Sequence, residues 1–357
     1  MNILFCGGGT LGPVTPLLAV ARNLKRLSTL DFRLSFAWVG TPDGPEAPLV
    51  ERERIPFMGI PVAKLPRYFS FAWLTQPREF LRAKRMARHI LDDIRPDLIV
   101  GAGGFTQVPV MREAEKRGIP CAIHQLDTTP TLSNRLVAAR CRSLTTSFEY
   151  SSPPFGRNVT TTRIPTPCRF ANVSIPDKES GSSYFFLDHT RPIVFVFGGG
   201  TGARALNHAM EIVHERLTDV QWIFATGEGR GAGLVADRRT VVKTFFDERD
   251  MLFAYAAADV VVCRAGMGTV SELAALSKPA IIVPIPNSHQ EANAEALKEG
   301  IVIVRQTEHL HDELRATIEG LLPDRERLAH MGSTLHRLLP TDNGTALAER
   351  WLDLINT

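Results

Sequence analysis

Two short apolar runs, residues 2–6 and 193–197, each pass directly into a glycine cluster: Gly7-Gly8-Gly9-Thr10-Leu11-Gly12 and Gly198-Gly199-Gly200-Thr201-Gly202. Each cluster opens a stretch with helical spacing, residues 16–27 after the first and 203–217 after the second. A strand ending in glycines before a helix is the opening unit of a doubly wound α/β sheet, so the pattern predicts two such sheets in succession. Further apolar runs at 34–40, 97–101 and 119–123, with a helix at 109–117, continue the first series. Strands at 221–226, 241–245, 259–263 and 280–283, with a helix at 268–276, continue the second. Short apolar strands alternating with helices predict parallel sheets covered on both faces.

At 357 residues the chain exceeds one ordinary core and suits two domains of roughly 150–200 residues. Residues 153–192 are rich in Pro, Ser and Thr and read as the linker. The expected division is 1–163, 164–340 and a final helix in 341–357 that returns to the first domain. With 44% hydrophobic and 22% charged residues the chain is a folded protein, neither disordered nor fibrous. Its net charge of only +3 gives no support to nucleic-acid binding. The cysteines are dispersed without a C-x-x-C pair, so neither a disulfide framework nor a metal site is expected. The opening residues lack a signal-peptide pattern, and no apolar run reaches the length of about 18 residues needed for a span. A cytoplasmic protein, at most attached to a membrane surface, is the expectation.

The glycine clusters either allow tight packing or present backbone N–H groups and a helix end to a phosphate. Neither carries the dinucleotide or P-loop pattern, which argues against an NAD oxidoreductase and against ATP hydrolysis. RAGMGTVSELAAL at 264–276 is more specific. Gly266 and Gly268 follow a buried strand, and Thr269 caps or lines the helix start. Glu272 either complements the helix dipole or accepts hydrogen bonds from vicinal hydroxyls such as those of ribose. The polar run 289–293 after PIPNS suits a sugar or base better than a core.

Taken in order, GGGTLGPVTPLLAVA (7–21), GAGGFTQVP (101–109), IHQLD (123–127), GGGTGARALN (198–207), ADVVVCRAGMGTVSELAALSKPAIIVPIP (258–286) and HQEANA (289–294) resemble the bacterial MurG glycosyltransferase family over nearly the whole chain. The resemblance implies a GT-B fold, two Rossmann-like domains facing across a cleft. It implies inverting transfer of N-acetylglucosamine from UDP-N-acetylglucosamine to the C4 hydroxyl of an undecaprenyl-linked muramyl-pentapeptide in peptidoglycan synthesis. The donor is a substrate and no cofactor is obligatory. By the same resemblance Glu272 takes the ribose hydroxyls, and Thr269 lies near the diphosphate with the backbone of Gly266, Met267 and Gly268. Gln290 and Asn293 hold the donor sugar, the 245–251 loop with Phe246 and Met251 reads uracil through backbone atoms, and Arg169 stands near the nucleotide. Gly199, Gly200, Thr201 and Gly202 approach the donor, and Thr10, Leu11, Gly12 and Asn134 complete the expected substrate-binding set.

The chain departs from the family at three places, the first being Gly198-Gly199-Gly200-Thr201-Gly202, where family members read Gly-Gly-Ser-Gln-Gly. Family members read Gly-Gly-Thr-Gly-Gly-His in the first loop, where this chain ends in Pro13, which cannot accept a proton. The family's His-Glu-Gln-Asn is here His124-Gln125-Leu126-Asp127. His124 and Asp127 are therefore the candidate proton acceptors, set against a structural histidine and a helix cap for the segment at 130–140. A UDP-sugar transferase with another acceptor, and a UDP-sugar-binding protein at the membrane with weak or no turnover, stay open as alternatives. Residues 64–89 set Tyr68, Phe69, Phe71, Trp73, Leu74, Phe80 and Leu81 among many arginines and lysines. This suits peripheral contact with an anionic membrane surface, by the resemblance on its cytoplasmic face, or else a core stripe beside a solvated helix face. Other peptidoglycan-synthesis proteins are further partners of such an enzyme.

Overall fold

The structure is a computed structural model that describes residues 1–28, 33–61, 72–199, 204–227, 229, 231 and 233–356. It divides into two compact units, Met1–Arg169 with Asp342–Thr357, and Phe170–Thr341.

The first unit runs β1 (Asn2–Cys6), α1 (Val14–Leu27), β2 (Ser35–Gly40), α2 (Ala47–Arg52), β3 (Phe57–Gly59), α3 (Ala72–Ile94), β4 (Leu98–Gly101), α4 (Gln107–Glu115), β5 (Cys121–Gln125), α5 (Leu132–Val137), β6 (Ser143–Thr146), β7 (Thr162–Arg163) and β8 (Thr166–Pro167). The second runs α6 (Lys178–Tyr184), β9 (Ile193–Phe197), α7 (Arg204–Arg216), β10 (Gln221–Ala225), β11 (Thr240–Lys243), α8 (Glu248–Ala257), β12 (Val260–Cys263), α9 (Met267–Ala275), β13 (Ala280–Ile282), α10 (His289–Ala296), β14 (Val302–Ile303), α11 (Leu310–Leu321) and α12 (Arg325–Leu338). After β15 (Thr341–Asp342), α13 (Thr345–Asn356) ends the chain.

The first sheet has the order β3-β2-β1-β4-β5-β6-β7 and the second β11-β10-β9-β12-β13-β14. The pairs in both are parallel. Strand order therefore reverses beside β1 and beside β9. In such sheets the turns beyond the carboxyl ends of the two strands at the reversal lie side by side, and ligands bind in that crevice. The junctions that matter are thus β1 with β4, and β9 with β12.

Strands buried on both faces were readable as apolar runs; β3, β6, β7 and β14 were not. β6 is Ser-Leu-Thr-Thr, buried although polar, and β7 and β14 have two residues each. The linker expected over 153–192 is also too long. It contains β7, which extends the first sheet, and α6, capped by Asp177 and packed on α8. Gly181 makes that approach possible, since a Cβ there would lie 2.5 Å from Ala257 N. The unit boundary falls after Arg169.

The last helix belongs to the first unit. Trp351 is wholly buried, with its ring edge-on to Phe5 at 6.2 Å. At Gly344 (φ +87°) a Cβ would come within 2.7 Å of Val20 Cα, so α13 meets α1 with only hydrogen between their backbones. Among the described residues no helix is long and apolar enough to cross a membrane.

Candidate active site

The second unit gathers its polar residues beyond the ends of β12 and β13. Arg264, buried directly after β12, donates from Nη1 to the carbonyls of Val283 (2.9 Å) and Pro284 (3.3 Å) and from Nη2 to Gln306 Oε1 (2.7 Å). It thereby ties the start of α9 to the loop that enters α10. Gly266 is the N-cap of α9 and no side chain caps the helix. A Cβ on Gly266 would meet nothing within 4 Å, so open space lies beside the first-turn N–H groups of Met267, Gly268 and half-buried Thr269. Uncapped N–H groups and the helix dipole favour an oxyanion there.

Glu272 is the sixth residue of α9, beyond the first turn, so the dipole reading of this residue fails. Its buried carboxylate accepts the Tyr255 hydroxyl at 2.8 Å. Tyr255 is itself fixed edge-on against Phe195, Phe197 and Phe170. Asn293 is wholly buried and donates to Ala265 O at 3.3 Å, and Gln290 Oε1 accepts the Ile285 N–H at 3.2 Å. Phe246 is stacked between Phe185 and Phe195, which takes its ring away from the loop surface, whereas the neighbouring Phe245 is exposed, and Met251 is buried in α8. Gly199 is exposed with φ +80°, whereas Gly200, Thr201 and Gly202 lie outside the described residues. Arg169, half-buried, closes the first unit.

In the first unit three turns come together. Gly104 packs on the first glycine loop so closely that a Cβ would lie 2.8 Å from Gly8 O. Beside Gly103 (φ +123°) stand Pro13 Cβ at 3.8 Å and Thr131 Oγ1 at 3.9 Å from where a Cβ would be. The loops 7–13, 101–106 and 126–131 thus share one neighbourhood, with Thr10 exposed and Leu11 and Gly12 half-buried. The Gly9 N–H is already engaged, by the wholly buried carboxylate of Glu46 at 3.2 and 3.3 Å. Thr41 adds its N–H (2.6 Å) and hydroxyl (2.5 Å) to the same Glu46 oxygen. The first glycine cluster therefore holds an anion supplied by the protein.

His124 and Asp127 differ sharply. His124 is wholly buried on β5, with Nδ1 2.9 Å from Thr145 Oγ1 and Nε2 3.0 Å from Ser147 Oγ. Burial alone pulls its pKa down to about 3, so it is a neutral structural histidine with neither nitrogen open to an acceptor. Its expected role as a proton acceptor is corrected on that ground. Asp127 is half-buried in the loop beyond β5, and the cap of α5 is Thr131, which accepts the Asn134 N–H. The helix-cap reading of Asp127 is thereby removed. Tyr150 donates to Asp127 O at 2.9 Å, and its own pKa is raised by burial and then by the Asp127 charge nearby. Asn134, expected on substrate, is wholly buried with both side-chain atoms bonded to Gln107 and Gln125, so it holds the loop rather than a ligand.

Much of the 64–89 segment, including Tyr68, Phe69 and Phe71, lies outside the described residues, as do the side chains of Trp73 and Leu74. Of the rest, Phe80 is half-buried, packed against the core and under Arg112 at 5.9 Å. Leu81 is 57% exposed between exposed Arg78, Arg82 and Arg85. Lys84 and Arg88 turn to the buried Glu113 of α4, at 3.5 and 2.9 Å. Burial would raise the Glu113 pKa, but hydrogen bonds from Arg88 and Lys116 outweigh it and bring it to about 2. Among the described residues no group of three or more His, Cys, Asp or Glu could hold a metal ion.

Two parallel, doubly wound units, each with glycine turns at its strand-order reversal and the second with an open helix end beside a buried carboxylate, define the GT-B class. Sequence comparisons narrow the class. The glycosyltransferase family 28 N-terminal domain matches residues 3–146 and the family 28 C-terminal domain residues 193–339. A Nocardioides sp. protein named UDP-N-acetylglucosamine--N-acetylmuramyl-(pentapeptide) pyrophosphoryl-undecaprenol N-acetylglucosamine transferase is 36% identical over 366 residues, covering 99% of this chain and 98% of that protein. A Listeria welshimeri protein of the same name is 31% identical over 370 residues, covering 99% and 100%. The crystal structure of Acinetobacter baumannii MurG shares the fold with a TM-score of 0.73 at 23% identity, covering 99% of each chain. The chain belongs to glycosyltransferase family 28, in its MurG branch.

Proposed function

We propose that the chain transfers N-acetylglucosamine from UDP-N-acetylglucosamine to the undecaprenyl-linked muramyl-pentapeptide, the reaction in the name of its relatives, and that the C4 hydroxyl of the muramyl sugar receives it. The observation that carries the donor half is the uncapped α9 N-terminus opening on free space at Gly266, with Glu272 further along the same helix and Gln290 and Asn293 on the adjoining α10. The diphosphate sits at the helix end, Glu272 takes the ribose hydroxyls, and Gln290 and Asn293 take the sugar. The acceptor oxygen attacks the anomeric carbon as the bond to UDP breaks, which inverts an α-linked donor. Charge develops on the departing diphosphate, and fixed N–H groups stabilise it without reorganising.

The acceptor proton goes to Asp127. Pro13 has no basic group, His124 is closed on both nitrogens, and Asp127 is the half-buried carboxylate beside the three first-unit turns. Attachment is peripheral, through exposed Leu81 with Arg78, Arg82 and Arg85 against anionic lipid of the cytoplasmic leaflet. Transfer of labelled N-acetylglucosamine to the lipid-linked acceptor by purified protein tests the reading. Product is expected, and Asp127→Asn should lower kcat by roughly 10²- to 10⁴-fold with donor binding unchanged. Donor binding without product would reduce the protein to a nucleotide-sugar binder.

A further inference from the structure

Under the Asp127 loop, three side-chain amides stand end to end. Gln107 on α4, Asn134 on α5 and Gln125 at the end of β5 are all wholly buried. The Gly103 N–H donates to Gln107 Oε1 (3.2 Å), Gln107 Nε2 to Asn134 Oδ1 (2.6 Å), and Asn134 Nδ2 to Gln125 Oε1 (2.7 Å). Gln125 Nε2 then donates twice, to the carbonyls of Asp127 (2.8 Å) and Thr129 (3.1 Å), while the Thr131 N–H reaches Gln125 Oε1 (3.3 Å). The chain begins at a backbone N–H and ends at two backbone carbonyls. Those groups have fixed polarity, so they dictate which way every amide between them faces. Space is reserved for it: a Cβ on Gly101 would run into Gln107 Oε1.

We propose that this amide chain positions the acceptor side of the site. Gln125 holds the 127–129 backbone, and with it the Asp127 carboxylate, in register with the 103–104 turn, and only an amide at 125 does so. A glutamate there accepts but cannot donate while ionised, so the carbonyls of Asp127 and Thr129 would face a carboxylate with no hydrogen between. Gln107, Asn134 and Gln125 are positioning residues, acting through the 127–129 backbone, and only the further step to proton transfer rests on the reading of Asp127 as proton acceptor.

The test is Gln125→Glu in the full chain, with kcat and both KM values measured from about pH 6 to about pH 8.5. When protonated, the introduced carboxyl regains one O–H donor, and burial favours that neutral form; when ionised, it has none. Relative to the parent, kcat should fall roughly 30- to 100-fold at the alkaline end and return to within about 5-fold at the acidic end, with the donor KM unchanged. A merely structural glutamine predicts a ratio that does not change with pH; that result, or full activity throughout, overturns the proposal. If Gln125→Glu does not fold, Gln107→Met cuts the chain at Gly103 and leaves the bonds from Gln125 in place. Its kcat should fall about 5-fold with UDP affinity kept, and parent-like turnover overturns the proposal. Asp127→Asn, run in parallel, separates the two readings. Active Asp127→Asn beside a pH-dependent Gln125→Glu keeps the amide chain and removes Asp127 as the proton acceptor, whereas inactive Asp127→Asn beside a flat ratio does the reverse.

Discussion

At the end of β1 the Gly9 N–H points at a carboxylate from the same unit, Glu46, whereas at the start of α9 no side chain caps the helix and the space beside Gly266 is open. Both are glycine turns between a buried parallel strand and a helix, at the strand-order reversal of their sheets. The physics that makes one receptive to a phosphate has been used in the other to hold an internal anion. Glycine at these junctions gives backbone access, and the neighbours decide who uses it. In the first unit that access stiffens the loop leading to Pro13; in the second it remains for a ligand.

The sharpest way to break the contrast is to place a side chain at each junction. Gly266→Val puts methyl groups into the open space at backbone angles any residue adopts (φ −74°, ψ 133°). UDP-N-acetylglucosamine affinity should fall by roughly 100-fold, with the melting temperature almost unchanged, since an oxyanion and a branched side chain cannot share that volume. Calorimetric titration checks it, and unchanged affinity would move the diphosphate elsewhere. Gly8→Ala should do the opposite. Its Cβ would run into Glu46 Oε1 and lie 3.0 Å from Thr41 N, so the cost, about 2 kcal/mol, should appear in denaturant unfolding. UDP binding by the second unit should persist.

The same contrast explains what could be read in advance. β1, β9 and β12 were legible because burial on both faces demands unbroken apolar runs. β6 was not, because Ser143, Thr145 and Thr146 are buried polar groups, and Thr145 is there to meet His124 across the sheet. In the candidate site, the local signal at 264–272 was enough to announce the glycine turn and the helix that carry Gly266 and Glu272. Glu46 left no such signal, since TPDGPEAP reads as a surface turn, and its partners Gly9 and Thr41 are set by the β1–β2 pairing. Gln107, Gln125 and Asn134 come from three elements joined only in the fold, so no spacing along the chain could have revealed their order.

Acid should weaken the first unit through His124. Its ordinary pKa of 6.5 applies when unfolded, while burial holds it to about 3 when folded. As pH falls below 6.5 the unfolded chain gains a proton that the native state refuses, so stability drops by up to about 1.4 kcal/mol per pH unit. Glu113, held near 2 against an ordinary 4.5, adds its loss only lower down, as pH falls from 4.5. Between pH 6.5 and 4.5, above the onset of the Glu113 loss, His124→Asn should flatten the dependence, measured as urea midpoints at several pH values. An unaltered slope would mean that His124 is not the group responsible.

The smallest expected effect is the most specific for the second junction. Tyr255→Phe keeps the ring edge-on to Phe195 and Phe197 and deletes only the hydroxyl on Glu272. If that bond aims the carboxylate at the ribose, UDP affinity should fall by about 3- to 10-fold, less than the full value of a hydrogen bond to a charged group because the carboxylate is loosened and not removed. The penalty should shrink for 2′-deoxy-UDP, because the hydroxyl whose partner was loosened is then missing from the ligand as well. Equal penalties for both nucleotides would mean that Tyr255 supports the packing of α8 on α9 and that Glu272 does not contact the ribose. The comparison with the first junction would then narrow to the open helix end alone, since Glu272, like Glu46, would be a carboxylate used to hold the protein together.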